Sequence, residues 1–532
     1  MTSPRISTDP WFTRGGFVSR PPAAAFTPLH LAVFLSLALG ALLFGVTLIF
    51  GGEGLQFQKY LALLGFYGAS SAVFVGSRIR RGNVQLFELP VFLTALFFLR
   101  FGLLPLRNFF DPAQLDENLS ANGLELVQAL SYIILGMMAF WMGCELARRK
   151  GGERIVPGLD SPSVTPQLHK RRVVAAFAII CAAGFITRVY LLKNHLYSYT
   201  GSLDKYYENL GSMQVLNFVA QFGSLALIIA TIERYRHRHD PLWRILFAAA
   251  LASEVFWGLI SGMKGLALQN FIIVAVASSF AMRRLNARWI VILFLGLVLL
   301  YPISEAYRSV LQEGSADVSS FQGAAEAGQM ALSRVGEGGS SAGDFGREGL
   351  QESFQRLDLL TCVAQALTLG SRASIVKGHV EWWTLPFYPF VPRLIWPSKP
   401  ILQEGGWFHV ALSGRSGDPT SVGSSTAITY PGDLYLQFGL WGIPVGMFVL
   451  GIVAQWFTNR LSASVEPREL FVYTAVFLLG FPLEADAFLL WTSLIKLLAI
   501  LYVLRLLIYG PTARHRSLAA SVPVPDRRPC ES

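Results

Sequence analysis

Residues 31–50 read LAVFLSLALGALLFGVTLIF, without a single Asp, Glu, Lys or Arg. About 20 mostly apolar residues are what an α-helix needs to cross the hydrocarbon core of a bilayer. Similar runs recur, VILFLGLVLLY at 291–301 and FVLGIV at 448–453. None alternates apolar and polar residues as the strands of a membrane barrel do. The chain has 532 residues, 53% hydrophobic and 15% charged, where a soluble domain carries about 25% charged residues. The sequence therefore predicts an all-α polytopic membrane protein.

Reading outward from these runs gives about twelve spans. They lie near 28–50, 58–77, 86–105, 124–146, 172–192, 212–232, 243–260, 264–282, 287–305, 432–457, 468–483 and 486–508. The expected organisation is a cytoplasmic tail over 1–27, a nine-span bundle over 28–305 and a large external loop over 306–431. Three further spans follow over 432–508, then a disordered cytoplasmic tail over 509–532. The first 27 residues are polar and Pro-rich and lack a cleavage-site pattern, so the first span reads as an uncleaved anchor.

The net charge of +10 does not indicate nucleic acid, because the basic residues gather in short loops between spans. Arg78, Arg80 and Arg81 form one such group, Arg148, Arg149 and Lys150 another, and Arg234, Arg236 and Arg238 a third. Basic loops stay in the cytoplasm, so both termini are expected there. The long loop is then on the periplasmic face of a bacterial inner membrane. Cys144, Cys181, Cys362 and Cys530 show neither metal spacing nor a disulfide framework. With no HExxH, nucleotide-binding glycine loop or acidic cluster, no metal and no cofactor are expected.

The loop is uneven. Residues 312–346 are rich in Gly, Ala and Ser and read as flexible. Over 347–369, Leu350, Phe354, Leu357 and Leu360 repeat at helical spacing, and Gly370 is a plausible stop. Residues 384–400, TLPFYPFVPRLIWPSKP, are broken by prolines and rich in aromatics, which suits a segment lying at the lipid–water interface.

Four groups of residues could carry chemistry. Arg100, Arg188, Lys264 and Arg308 fall at outward helix ends, with Tyr307 beside the last. A guanidinium fork suits phosphate oxygens, although such cations also snorkel to lipid headgroups. Arg356 and Asp358 read as a phosphate clamp and a base, or equally as a solvated face with Arg356 pairing Glu352. Arg393 and Lys399 flank Trp396 on a proline-fixed backbone, either a rigid cationic frame or a structural elbow. Proton acceptors for sugar transfer include His379, Glu381, Glu404, His409, Asp418 and Asp433, none singled out by spacing. Glu254 and Lys496 fall at mid-membrane depth, where charges are costly. They read as a mutual pair or as the start of an ion path.

Three local patterns resemble the oligosaccharide repeat-unit polymerases, the Wzy-type enzymes of O-antigen and exopolysaccharide synthesis. One is the turn Ser261-Gly262-Met263-Lys264-Gly265, and another is Tyr307-Arg308 at the start of the loop. The third joins Pro392-Arg393…Trp396-Pro397…Lys399-Pro400 to Gly432-Asp433-Leu434-Tyr435…Phe438-Gly439…Gly442. Lys264 stands where such turns commonly carry Arg.

The resemblance implies a membrane glycosyltransferase of GT-C-like architecture acting on polyprenyl-diphosphate-linked oligosaccharides. Its catalytic residues would be Arg308, Arg356, Asp358, Arg393 and His409. Arg100, Arg188, Lys264, Tyr307, Trp396, Lys399 and Asp433 would bind the diphosphate and glycan. A flippase and a chain-length regulator are the expected partners, and lipopolysaccharide or exopolysaccharide the product. O-antigen ligase is the near alternative. A polysaccharide transporter or flippase is the distant one, and it lacks the internal repeat common in transporters.

Overall fold

The computed structural model describes residues 56–80, 88–110, 119, 123–148, 166–197, 209–282, 286–313, 320–337, 357–370, 391, 395–396, 404–413, 426–461 and 467–509. Among these the fold is all α, without a strand. Eight helices are long and apolar enough to cross a membrane by length and composition. This is a membrane-embedded helical protein.

In chain order the helices are α1 (Gln56–Arg80), α2 (Leu89–Phe98), α3 (Leu124–Ala147), α4 (Pro166–Lys193), α5 (Leu210–Ala220) and α6 (Phe222–Arg236). Next come α7 (Pro241–Ile260), α8 (Lys264–Met282), α9 (Ala287–Gln312) and α10 (Phe321–Glu337). The last are α11 (Leu360–Gly370), α12 (Glu404–Ser413), α13 (Tyr430–Phe438), α14 (Gly442–Leu461), α15 (Pro467–Leu479) and α16 (Ala487–Tyr509). Eleven expected spans coincide with these helices or helix pairs, while the expected span at 28–50 lies outside the described residues.

Lipid gives no hydrophobic drive between helices, so close backbone approach and polar contacts must hold them together. The tightest crossing is that of α3 with α14. A Cβ on Gly143 would collide with the Phe448 carbonyl oxygen, and one on Gly451 with that of Phe140. The Cys144 thiol donates to the Gly451 carbonyl at 3.3 Å, a contact that only a side-chain-free crossing permits.

A second polar contact lies inside α4, α6, α7 and α8. Arg188 on α4 forms a two-pronged ion pair with Glu254 on α7, their side chains only 9% and 5% exposed. Ser224 of α6 donates to the same carboxylate at 3.1 Å. Asn270 of α8 donates to the Glu254 carbonyl at 2.8 Å. Gly223 makes room, since a Cβ there would overlap both charged groups. The expected partner of Glu254 was Lys496; the structure gives it Arg188 instead, because α4 and not α16 brings a cation to that depth.

Two expectations for the loop are revised. First, α9 does not end near residue 305. It continues through Pro302 to Gln312, and at about 1.5 Å per residue its 26 residues extend ~39 Å, past a hydrocarbon core of ~30 Å. Tyr307 and Arg308 are thus carried on a helix, not a loop. Second, the Gly- and Ala-rich stretch expected to be flexible contains α10. Ala327 and Ala331 share one face of α10 and bury themselves on Ala306, Tyr307 and Val310 of α9. Arg334 then pairs with Glu313 at 2.6 Å and donates to Ser309 at 3.1 Å. Small side chains here serve close packing.

Of the helix expected over 347–369 only the second part is seen, as α11; Asp358 and Leu359 interrupt it, and it ends at Gly370 as the sequence predicts. Its proposed beginning, 347–356, is outside the described residues, as is most of 384–400.

Candidate functional site

The elements converge at the end of the bundle formed by the C-terminus of α2 and the N-termini of α3, α13 and α16. Helix α11 packs on α3 and α13, and α12 covers it through Phe408 and Ala411 against Ala366, Leu369 and Ile428. Arg100 lies at the centre. It sits in a π-helical turn, Leu99–Leu103, that separates α2 from a 3-10 turn, Leu104–Phe109. Such wide turns inside helices occur frequently at functional sites. The Tyr60 hydroxyl donates to the Gly102 carbonyl at 2.7 Å, occupying an acceptor in the widened turn.

Arg100 makes three links. Its Nε donates to the Leu357 carbonyl at 3.0 Å and a terminal nitrogen to Glu484 at 2.5 Å. Its own carbonyl accepts the Leu359 N–H at 3.2 Å. Arg100 thus joins the end of α2, the chain entering α11 and the turn between α15 and α16.

Asp358 begins α11. One carboxylate oxygen accepts the N–H groups of Leu360 at 2.9 Å and Thr361 at 3.2 Å. The other accepts from the Thr361 hydroxyl at 2.7 Å and from Asn108 at 2.8 Å. This is an N-cap that satisfies helix-end donors. Burial pushes the Asp358 carboxyl up, while these hydrogen bonds pull it down. With four donors seated on it, Asp358 holds α11 in place and presents no lone pair suited to a base. Cys362, one turn on, is a half-buried thiol pushed up to about 12 by desolvation and by the acids nearby.

Helix α13 begins under strain. Thr429 has φ 70° and ψ 151°, a region essentially restricted to glycine that costs about 1–3 kcal/mol. It is held there because its Oγ1 accepts the Gly432 N–H at 3.2 Å and its N–H donates to the Glu484 carbonyl at 3.4 Å. Asp433, expected to touch glycan, is only 1% exposed. Its carboxylate accepts the Ala487 N–H at 2.8 Å and Gln437 at 3.2 Å, so it ties α13 to the start of α16. His409 on α12 is half-buried, its Nδ1 3.1 Å from the Thr426 hydroxyl.

The structure therefore gathers Arg100, Asp358, His409 and Asp433 around α11. It does not bring Arg188 to this surface, for that guanidinium is committed to Glu254 inside the bundle. A buried, charge-neutralised pair cannot also hold a diphosphate. Tyr307 is buried under α10, and Arg308 beside it is half-buried. Ala324 of the same α10 packs against Tyr197, Trp257 and Ile260 at the ends of α4 and α7. Lys264 opens α8 just beyond, at the same end. Trp396 is exposed. Arg356, Arg393 and Lys399 lie outside the described residues.

Glu484 was not among the residues the sequence suggested. Its signal was present: Pro482-Leu483-Glu484-Ala485-Asp486 places two acids in a short turn between apolar helices. The opposite end of the bundle holds Arg78 with Glu88 and Glu145, Lys170 with Asp240, and Arg172 on the last carbonyls of α16. The basic groups of the short loops thus share one end, and the Arg100 site occupies the other.

No solved structure matches the chain. The family model described as "Domain of unknown function (DUF8712)" matches residues 186–465. The match takes in the end of α4 and α5 to α14 with the intervening loop, but neither Arg100 nor Glu484. Because it spans more than half of the sequence, the chain belongs to the DUF8712 family.

Proposed function

We propose that this protein is a membrane glycosyltransferase that polymerises polyprenyl-diphosphate-linked oligosaccharide repeat units. The observation that carries the reading is the Arg100 site. A cation on a π-helical turn, an exposed carboxylate, a strained helix start and a half-buried histidine meet at the bundle end opposite the basic loops. Arg308 and Lys264 lie at the same end. Preorganised cations stabilise charge that develops on a leaving group without reorganising.

In this reading the growing glycan enters on its lipid diphosphate. Arg308, with Arg393 and Arg356 from the loop, receives the diphosphate by paired N–H donation. The terminal hydroxyl of the incoming unit attacks the anomeric carbon. The C–O bond to diphosphate breaks, and the lipid diphosphate leaves with the bonding electrons. Asp358 and Asp433 position α11 and α13, and His409 lines the acceptor side. The long loop faces the periplasm of a bacterial inner membrane, with both termini cytoplasmic. Deletion of the gene tests the reading in cells. The expected strain keeps single repeat units on lipid A–core and loses long chains. A strain that builds long lipid-linked polymer but fails to transfer it would identify a ligase.

A further inference from the structure

We infer that Glu484 is the general base of the transfer, an assignment that rests on the polymerase reading. Four carboxylates lie at the starts of α11 and α13 and in the turn leading into α16, and their surroundings sort them. Asp358 carries four donors, and Asp433 is buried on the Ala487 N–H. Asp486 is also buried and caps α16, accepting the Leu489 N–H at 2.6 Å. Glu484 alone of the four is open, its side chain 57% exposed. One oxygen receives Arg100, and the second has no hydrogen-bond partner among the described residues.

Its placement is fixed from both sides. The Leu483 carbonyl accepts the Tyr430 N–H at 3.2 Å and the Glu484 carbonyl that of strained Thr429. Ala485 N–H closes the turn on the Pro482 carbonyl at 3.2 Å. Arg100 is held in turn by the Leu357 carbonyl. A carboxylate with one oxygen anchored and the other facing outward is aimed at a hydroxyl approaching from solvent. The backbone strain that Thr429 maintains beside it is of the kind kept at functional sites.

The step balances without another reactant. As the acceptor oxygen bonds to the anomeric carbon, its proton passes to the outward oxygen of Glu484. The anomeric C–O bond breaks and its electron pair leaves on the lipid diphosphate. The protonated Glu484 then returns its proton to water. Arg100 is the positioning residue that orients the carboxylate.

The test measures elongation of lipid-linked repeat units by wild type, Glu484→Gln and Glu484→Asp, with donor binding and melting temperature for each. Loss of a positioned base typically costs 10²–10⁴-fold. Glu484→Gln is expected to elongate at least 100-fold more slowly, with donor binding and melting temperature kept. Its residual rate should lack the fall of the wild-type profile on the acid side. Glu484→Asp should retain activity and that fall. Glu484→Gln within tenfold of wild type overturns the assignment, as does loss of donor binding in step with rate. If Glu484→Gln does not fold, a Glu484→Asp profile without the acid-side fall overturns it. Wild type that cannot elongate lipid-linked units at all overturns the polymerase reading itself.

Discussion

Removing the Glu254 carboxylate would leave the Arg188 guanidinium charged inside the bundle. Both side chains are more than nine-tenths buried, and Glu254 receives two N–H groups from Arg188 and one hydroxyl from Ser224. Breaking one side of a buried pair costs about 3–5 kcal/mol, mostly as the uncompensated charge of the survivor. At about 1.4 kcal/mol per tenfold, Glu254→Ala should lower the folded-to-unfolded ratio by roughly 150- to 4,000-fold. Glu254→Gln keeps the shape and one acceptor but not the charge, and should still cost about 3 kcal/mol, the low end of that range. Replacing both residues by Leu removes both charges and should bring stability back to within about 1 kcal/mol of wild type, or above it. Thermal unfolding in detergent, followed by a dye that reacts with the buried thiol of Cys144, reads each variant. Melting of Glu254→Ala together with wild type would refute the buried pair. The double Leu variant carries a second readout. It should still make polymer, because Arg188 holds the bundle and not the substrate. A stable double variant without activity would return Arg188 to the site.

Gly451→Ala puts a Cβ against the Phe140 backbone and should cost about 1–3 kcal/mol by overpacking. Gly76→Ala meets nothing within 4 Å and should be neutral or stabilising by about 1 kcal/mol; the same dye assay separates them, and equal effects would contradict the α3–α14 crossing. His237, at the basic end, hydrogen-bonds buried Glu233 at 3.1 Å, and that bond raises its pKa. A raised folded-state pKa gives stability that is complete below the unfolded value of about 6.5 and lost as pH rises through the folded one. His237→Gln should flatten melting temperature against pH in that window, and an unchanged slope would remove the pair from consideration. Arg308→Ala should abolish polymer at unchanged protein level, and Arg308→Lys should restore little, because an ammonium cannot form the paired fork.

The apolar helices were legible because apolar length is a property of the sequence itself. Expected limits of 124–146 and 264–282 fall on Leu124–Ala147 and Lys264–Met282. What was not legible depended on distant partners. Ala327 and Ala331 look like loop composition until α9 is laid beside them. The span expected to end near 305 runs on to Gln312. The sequence put Lys496 at the depth of Glu254 and Arg188 at an outward helix end, and only the packing of α4 on α6 shows Arg188 to be the partner. At the site, Arg100 and Asp358 could be picked out by type and position. Their roles could not, because Arg100 meets Leu357 and Glu484, and Asp358 meets Asn108, only through contacts separated by 250 residues or more. Glu484 was not legible because its turn is short and its partner Arg100 lies 384 residues away.

Elongation by the purified protein tests the polymerase assignment most directly. The protein is reconstituted in liposomes with polyprenyl-diphosphate-linked repeat units, a chelator and no added nucleotide. Gel separation of the lipid-linked products should show a ladder rising by one repeat unit per step, with free lipid diphosphate released in equal amount. A sample in which the single units persist unchanged, with or without added divalent cation, would contradict the assignment.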